Sequence, residues 1–342
     1  MGKEQTWGYP PELVQWDITG KCNLSCRHCR AFEMRDSNDL EYEEVTRLLS
    51  ELYSFAPNVT LAVVGGEPLF RPDLKEILLF ARNISKSSDI EILTNGTLIN
   101  EKNISWLSDL ASGFNISLEG ASALVNDSIR GEGAFNRTVN GIKLLRKKEK
   151  PVTVRMTYFH QNEDEAEKLM RFIPELGVNN FNFRYVVPVG NASHESVSSE
   201  QYKKLCERIW EVGKELNLRV GFSDPFPEIL IDPSYKKEVE DDKELMCGKA
   251  VAGCSVAFRL LYIDPEGLIK LCPYFPIYCD DAKRKSLSEI WYKNRVMSAF
   301  RGVRRHLGGK CGGCEFKFGC GGCLGSAQAS GDFLGGEERC WR

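Results

Sequence analysis

The chain has 342 residues, a formal charge of −3 and 13 cysteines, enough for one large domain and a smaller one with a sizeable core. Basic and acidic residues are interspersed, which excludes a nucleic-acid groove built on a basic stripe, and no apolar run reaches membrane-spanning length. With no basic-then-apolar signal segment at its start, the chain reads as cytoplasmic, where cysteines stay reduced and clusters of them bind metal.

From residue 14 to about 222, short β-branched runs alternate with amphipathic stretches, the rhythm of repeated βα units and a parallel sheet. Strands are expected at 14–19, 60–64, 90–93, 114–117, 152–158 and 181–187, and helices at 42–54, 74–82, 102–111, 135–147, 164–175 and 200–216. Six units do not close an eight-stranded barrel, so the expected fold is α/β, a partial (βα)6 barrel open on one side for a substrate. Residues 1–13 then form an N-terminal extension and 14–222 the barrel. Pro225, Pro227, Pro233 and a charged run mark 223–246 as a linker, and 247–342 form a cysteine-rich C-terminal domain of hairpin and loops.

The loop after the first strand carries Cys22, Cys26 and Cys29. Iron–sulfur cubanes take four thiolates, so a local set of three leaves one position for a distant cysteine or for a ligand; a zinc site is the competing reading. Polar turns end the next three strands: Gly65-Gly66-Glu67-Pro68, Thr94-Asn95-Gly96 and Ser117-Leu118-Glu119-Gly120. Each alone is an ordinary turn, but they fall at the same end of successive strands, where parallel barrels assemble their sites. Beyond the linker, Cys247, Cys254, Cys272, Cys311, Cys314, Cys320, Cys323 and Cys340 are two cubanes' worth of ligands. Cys311-X2-Cys314 with Cys320-X2-Cys323 would also suit a zinc ribbon. Residues 258–272 read as a hairpin turned by Asp264-Pro265-Glu266-Gly267. Cys206, in a helix, and Cys279, in a loop, read as free thiols.

The three-cysteine spacing resembles the signature of the radical S-adenosylmethionine (SAM) superfamily. The resemblance implies a SAM-binding [4Fe–4S] cluster on Cys22, Cys26 and Cys29, with the SAM amino and carboxylate groups on the open iron. Reductive cleavage of SAM then gives a 5′-deoxyadenosyl radical that abstracts hydrogen from a substrate. It further implies that Gly65, Gly66, Glu67 and Pro68 hold the SAM amino group, that Asn95 meets the ribose, that Ser117 and Glu119 contact SAM, and that His28 stands near the adenine. Arg130 and Arg155 are both candidates for the SAM carboxylate. The C-terminal cysteines resemble the auxiliary-cluster domain called SPASM, although the Cys320–Cys323 gap holds two residues where the commonest pattern has three. Carried over by position, Cys247, Cys254, Cys272 and Cys323 hold one auxiliary [4Fe–4S] cluster, and Cys311, Cys314, Cys320 and Cys340 the other. A low-potential donor such as ferredoxin or flavodoxin is the implied electron source.

Two substrate classes fit this resemblance. The Cys-X-His-Cys-Arg-Ala run at 26–31, Val187-Pro188-Val189-Gly190, the Cys272-Pro273-Tyr274-Phe275-Pro276 segment and the short Cys320–Cys323 gap look like radical SAM enzymes of haem and haem d1 formation. A tetrapyrrole with propionate side chains is then the expected substrate, with Arg184 and Arg259 as carboxylate partners. The rival is a maturase acting on ribosomal peptides or a sulfatase; only 21 residues precede Cys22, few for a leader-binding domain, which favours the small molecule. A non-catalytic iron–sulfur electron carrier is the third reading, opposed by the Gly-Gly-Glu-Pro turn.

Overall fold

A computed structural model describes residues 8–85, 89–192, 198–232, 234–235 and 253–342. One twisted sheet organises it. β1 (Leu13–Asp17), β2 (Thr60–Val64), β3 (Ile90–Thr94), β4 (Gly113–Ser117), β5 (Val152–Tyr158), β6 (Asn180–Tyr185) and β7 (Arg219–Phe222) lie in chain order, each parallel to the one before. On the free edge of β1, β8 (Leu260–Ile263) adds a further parallel strand. Beyond it follow antiparallel β9 (Leu268–Lys270) and β10 (Tyr278–Asp281).

Four expectations change here. The parallel set has a seventh repeat strand, β7, hidden in the sequence because Arg-Val-Gly-Phe is short and half exposed. The C-terminal hairpin does form around the Asp-Pro-Glu-Gly turn, with Gly267 at φ +81°, but it continues the barrel's own sheet rather than standing apart from it. The expected linker also begins as packed structure: Asp224 is buried and Pro227–Ile231 is a helix. Cys279 lies on β10, not in a loop. Residues 233 and 236–246 of that linker, and Cys247, fall outside the described residues.

Alternation along each strand sorts the two faces of the sheet. On β4, β5 and β6, Phe114, Ile116, Val154, Met156, Phe181 and Phe183 are buried. The residues between them, Asn115, Ser117, Arg155, Thr157 and Arg184, line a cavity. Helices cover the apolar face. In Tyr42–Phe55, Val45, Leu48, Leu49 and Leu52 are buried, each contributing about 1.5–3 kcal/mol by leaving water. Among the described residues no helix is long and apolar enough to cross a membrane.

The C-terminal segment is pinned to the barrel by one buried cation. Arg339 reaches Asp224 at 3.1 Å and Glu337 at 2.8 Å. Asp224 also accepts from the Tyr202 hydroxyl at 2.6 Å and the Tyr185 N–H at 3.1 Å. Burial alone would raise the Asp224 pKa, but Arg339 and Arg184 outweigh it and hold the carboxyl below its ordinary value. Trp341 packs edge-on against Phe226, ring centres 5.3 Å apart, beside this pair. Arg339→Met strands two buried carboxylates and is expected to cost about 3–5 kcal/mol, read as a lower midpoint in anaerobic chemical denaturation. An unchanged midpoint would show that the clamp does not hold this segment.

Candidate active site

The three-cysteine loop leaves the end of β1 and is tied down along its length. Asp39 accepts from the Thr19 hydroxyl at 2.5 Å and from the Gly20 N–H at 2.9 Å. Asn191 donates its N–H to the Cys29 carbonyl and its side-chain amide to the Cys26 carbonyl, both at 3.2 Å. Arg30, next to Cys29, forms a two-pronged pair with Asp17 at 2.9 Å per bond. Cys22, Cys26 and Cys29 then face one cavity together with His28, Gly65, Gly66, Asn95, Ser117, Arg130, Arg155, Arg184 and Tyr274. Burial pushes the Cys22 thiol up to about 11 and raises Cys26 too, so iron binding here must expel protons.

Gly65 and Gly66 have a different reason for being glycine than closeness to a ligand. A Cβ on Gly65 would stand 2.3 Å from the Thr19 carbonyl oxygen, and one on Gly66 2.3 Å from that of Lys21. The Gly66 and Glu67 N–H groups donate to those same carbonyls at 2.8 and 2.9 Å. The turn is therefore a backbone splint for the cysteine loop, as well as part of the cavity wall. Glu67 and Pro68 are buried and lie behind that wall. The Glu67 carboxylate accepts from the Thr94 hydroxyl at 2.6 Å and from the Asn95 and Leu69 N–H groups at 2.8 and 3.1 Å. It joins the ends of β2 and β3 and has no oxygen aimed at a ligand.

Asn95 lines the cavity, yet its amide is already engaged. It donates to Asn23 on the cysteine loop at 3.0 Å and accepts from the Thr97 hydroxyl at 2.6 Å. Glu119, with no exposed surface, is likewise a strut. Its carboxylate binds Arg130 and accepts from the Thr157 N–H at 2.8 Å, with His28 Nε2 3.1 Å away. Burial would raise its pKa, but Arg130 and His28 prevail and hold it at about 2. His28 leans on Phe159, ring centres 5.2 Å apart. Buried His28 Nδ1 and Arg130 Nε have no hydrogen-bond partner, and an Arg130 amine lies 3.9 Å from Cys26 Sγ. Three thiols, two unsatisfied buried nitrogens and polar strand ends on one wall fit SAM and its cluster. Arg130 is the arginine whose side chain reaches a thiol of the loop within hydrogen-bond distance among the described residues.

The C-terminal cysteines fall into two groups. Cys254, Cys272 and Cys323 line one cavity; burial, then the charges of Cys254 and Cys323, push the Cys272 thiol up to about 12. Cys311, Cys314, Cys320 and Cys340 line a second. The two-residue gap that departs from the common spacing is where the groups divide. Gly321 and Gly322 both take positive φ, +73° and +64°, a conformation that other residues adopt only with strain. The turn sends Cys320 to one cavity and Cys323 to the other. Among the described residues no three His, Cys, Asp or Glu side chains converge as they would around a single metal ion; thiolates on separate irons of a cubane stand further apart. Cys206 is buried among Tyr202 and its neighbours, away from both groups.

Sequence reasoning passed over Arg30 and Tyr274 as site residues. The signal for Arg30 was a strand-end acid, Asp17, facing a basic residue beside the last cysteine. Arg259 is displaced from its expected role: it pairs with Glu12 at 2.6 Å on an exposed edge.

Comparison with known proteins agrees with this geometry. Residues 16–173 match the model of the radical SAM superfamily, and residues 254–315 match that of an iron–sulfur cluster-binding domain, SPASM. The AdoMet-dependent heme synthase of Methanosarcina barkeri is 30% identical over 341 residues, covering 96% of each chain. The pre-heme d1 synthase of Dinoroseobacter shibae is 25% identical, covering 98% of this chain and 87% of that one. Among solved structures, Streptococcus suis SuiB bound to S-adenosylmethionine superposes with a TM-score of 0.78 at 18% identity, over 97% of this chain and 78% of that one. The chain belongs to the radical SAM superfamily, as a member that carries the SPASM auxiliary-cluster domain.

Proposed function

We propose that this enzyme removes or trims carboxylate side chains of a tetrapyrrole in haem-type biosynthesis. The observation that carries the reading is the match, from end to end on both sides, to the M. barkeri AdoMet-dependent heme synthase; the pre-heme d1 synthase match points the same way. SAM on a reduced cluster supplies the hydrogen-abstracting radical, and the protein's task is to place one C–H bond and exclude water.

The residues of the cavity suit that task. The cysteine loop and Tyr274, from the segment after Cys272, belong to the same lining. Oxidative decarboxylation of a propionate removes a hydrogen atom, carbon dioxide and one electron, leaving a vinyl group. The electron must therefore leave the cavity. Gln15, Arg184 and Tyr274 border both this cavity and the one lined by Cys254, Cys272 and Cys323, so these side chains stand between the reaction space and the first auxiliary group. Cys22, Cys26 and Cys29 are the proposed ligands of the SAM-binding cluster, and a ferredoxin- or flavodoxin-type donor is the proposed reductant.

Anaerobic incubation of reconstituted protein with SAM, reductant and iron coproporphyrin is expected to yield 5′-deoxyadenosine and products lighter by carboxyl mass. No Soret perturbation and no mass loss, alongside turnover of a cysteine-bearing peptide, would transfer the enzyme to peptide maturation. No SAM turnover with any partner would leave an electron carrier.

Alanine at Cys22, Cys26 and Cys29 together is expected to lower the iron content from about twelve to about eight per chain, at four per cubane. The same variant is expected to lose 5′-deoxyadenosine formation. A wild-type content near four irons with two zincs would instead assign zinc to the C-terminal cysteines.

A further inference from the structure

Five arginines line the cavity: Arg35 is spent on the Ser25 hydroxyl at 2.8 Å and on the Leu24 carbonyl of the cysteine loop, and the other four divide into two kinds. Arg30 is neutralised by Asp17 and Arg130 by Glu119, both carboxylates fully buried. Arg155 and Arg184 have no carboxylate within ion-pair distance among the described residues. Arg155 donates to the Ser223 hydroxyl at 3.1 Å. Arg184 lies over the Tyr274 ring at 4.1 Å, and its buried Nε has no hydrogen-bond partner.

The acids closest in influence are committed elsewhere. Asp224, whose field reaches Arg184, is shared by Arg339, Tyr202 and the Tyr185 N–H. Glu91, which reaches Arg155, accepts from Asn115 at 3.0 Å. Burial, together with Arg184 and Arg30, pushes the Arg155 pKa down, whereas burial of Arg184 is outweighed by the charges of Tyr274 and Asp224, which raise it. The pair sits on one face of adjacent strands, since Arg155 on β5 is opposite Asn182 on β6 and Arg184 lies two residues further on. Guanidinium groups held in this way match the two oxygens of a carboxylate.

We propose that Arg155 and Arg184, with Tyr274 beneath Arg184, receive a carboxylate of the substrate. This rests on reading the cavity as the substrate chamber. It also separates the places of the arginines: Arg130, paired with Glu119 and with its Nε unpartnered beside Cys26, stays on the side of the three-cysteine loop. Arg184 and Tyr274 also border the cavity of Cys254, Cys272 and Cys323. A substrate anchored here is therefore held against the partition between the reaction space and the first auxiliary group.

The test uses cluster-loaded protein under anaerobic conditions. Iron coproporphyrin is titrated by its Soret band and SAM by equilibrium dialysis, for wild type, Arg155→Gln and Arg184→Gln. Each substitution is expected to weaken porphyrin binding by about 10–100-fold, the worth of a charge-assisted hydrogen bond, and to leave SAM affinity unchanged. The double variant is expected to lose less than the product of the two, because both arginines serve one carboxylate. Porphyrin tetramethyl ester should bind weakly and respond to neither change. Melting temperature of Arg155→Gln should stay level or rise, as no carboxylate within ion-pair distance loses a partner, whereas Arg184→Gln also removes a cation that steadies Asp224; a fall for Arg155→Gln would make that arginine structural and overturn the proposal. Loss of SAM affinity with porphyrin binding intact would also overturn it, moving the pair to the SAM carboxylate.

A second probe separates this proposal from the tetrapyrrole reading. If wild type binds no porphyrin, but glutarate raises its melting temperature above a chloride control and fails to do so in the double variant, the carboxylate site stands and the tetrapyrrole reading falls. If neither ligand acts on wild type, both fall.

Discussion

The ion pair between Asp17 and Arg30 is the contact on which the arrangement of this molecule turns. Asp17 ends the first strand, has no exposed surface, and gives both oxygens to Arg30 while also accepting from the Tyr262 hydroxyl at 2.5 Å. Three distant parts of the chain meet at one carboxylate: the strand that launches the cysteine loop, the residue that follows its last thiol, and the strand that brings the C-terminal half alongside. Charge-assisted bonds of this kind are directional. The loop is therefore fixed in orientation as well as position, and β8 is seated against β1 in one register.

The same device recurs around the mouth of the barrel. Glu67 joins β2 to β3, and Glu119 joins the end of β4 to Arg130, His28 and β5. Burial pushes the Glu67 pKa up even against the hydrogen bonds from Thr94, Asn95 and Leu69, whereas Arg130 drives Glu119 the other way. Both struts are spent inside the protein. What lines the cavity is backbone, thiol, cation and uncharged side chains, with no carboxylate among the described lining residues. This suits a site whose SAM and proposed substrate both bring carboxylates.

Much of this was legible in the sequence because its signals are local. β-branched runs in alternation with amphipathic stretches located six strands and six helices, and cysteine spacing separated the three-thiol loop from the C-terminal set. Signals that depend on distant partners were not legible. Nothing in Leu260–Ile263 announces a parallel partner at Leu13–Asp17, so the hairpin read as a separate unit. Glu67 and Glu119 sit in the right turns, but only their hydrogen-bond partners reveal them as struts. Arg259 looked equivalent to Arg184 until Glu12 was found beside it. One local signal was available and passed over: polar residues at alternate positions of β4, β5 and β6, beginning with Asn115 and ending with Arg184, mark the face that lines the cavity.

The placement of β8 beside β1 has a consequence for how the protein is made. A ribosome releases β1 and the three thiols early, but the strand that covers the outer edge of β1 begins only at Leu260. At about 5–20 residues per second this interval lasts roughly 10 to 50 s. For that time β1 presents unpaired backbone donors and acceptors along one side, and Asp17 lacks the Tyr262 hydroxyl. The barrel half of the nascent chain is thus open beside its cysteine loop until the last quarter of the polypeptide arrives to cover it.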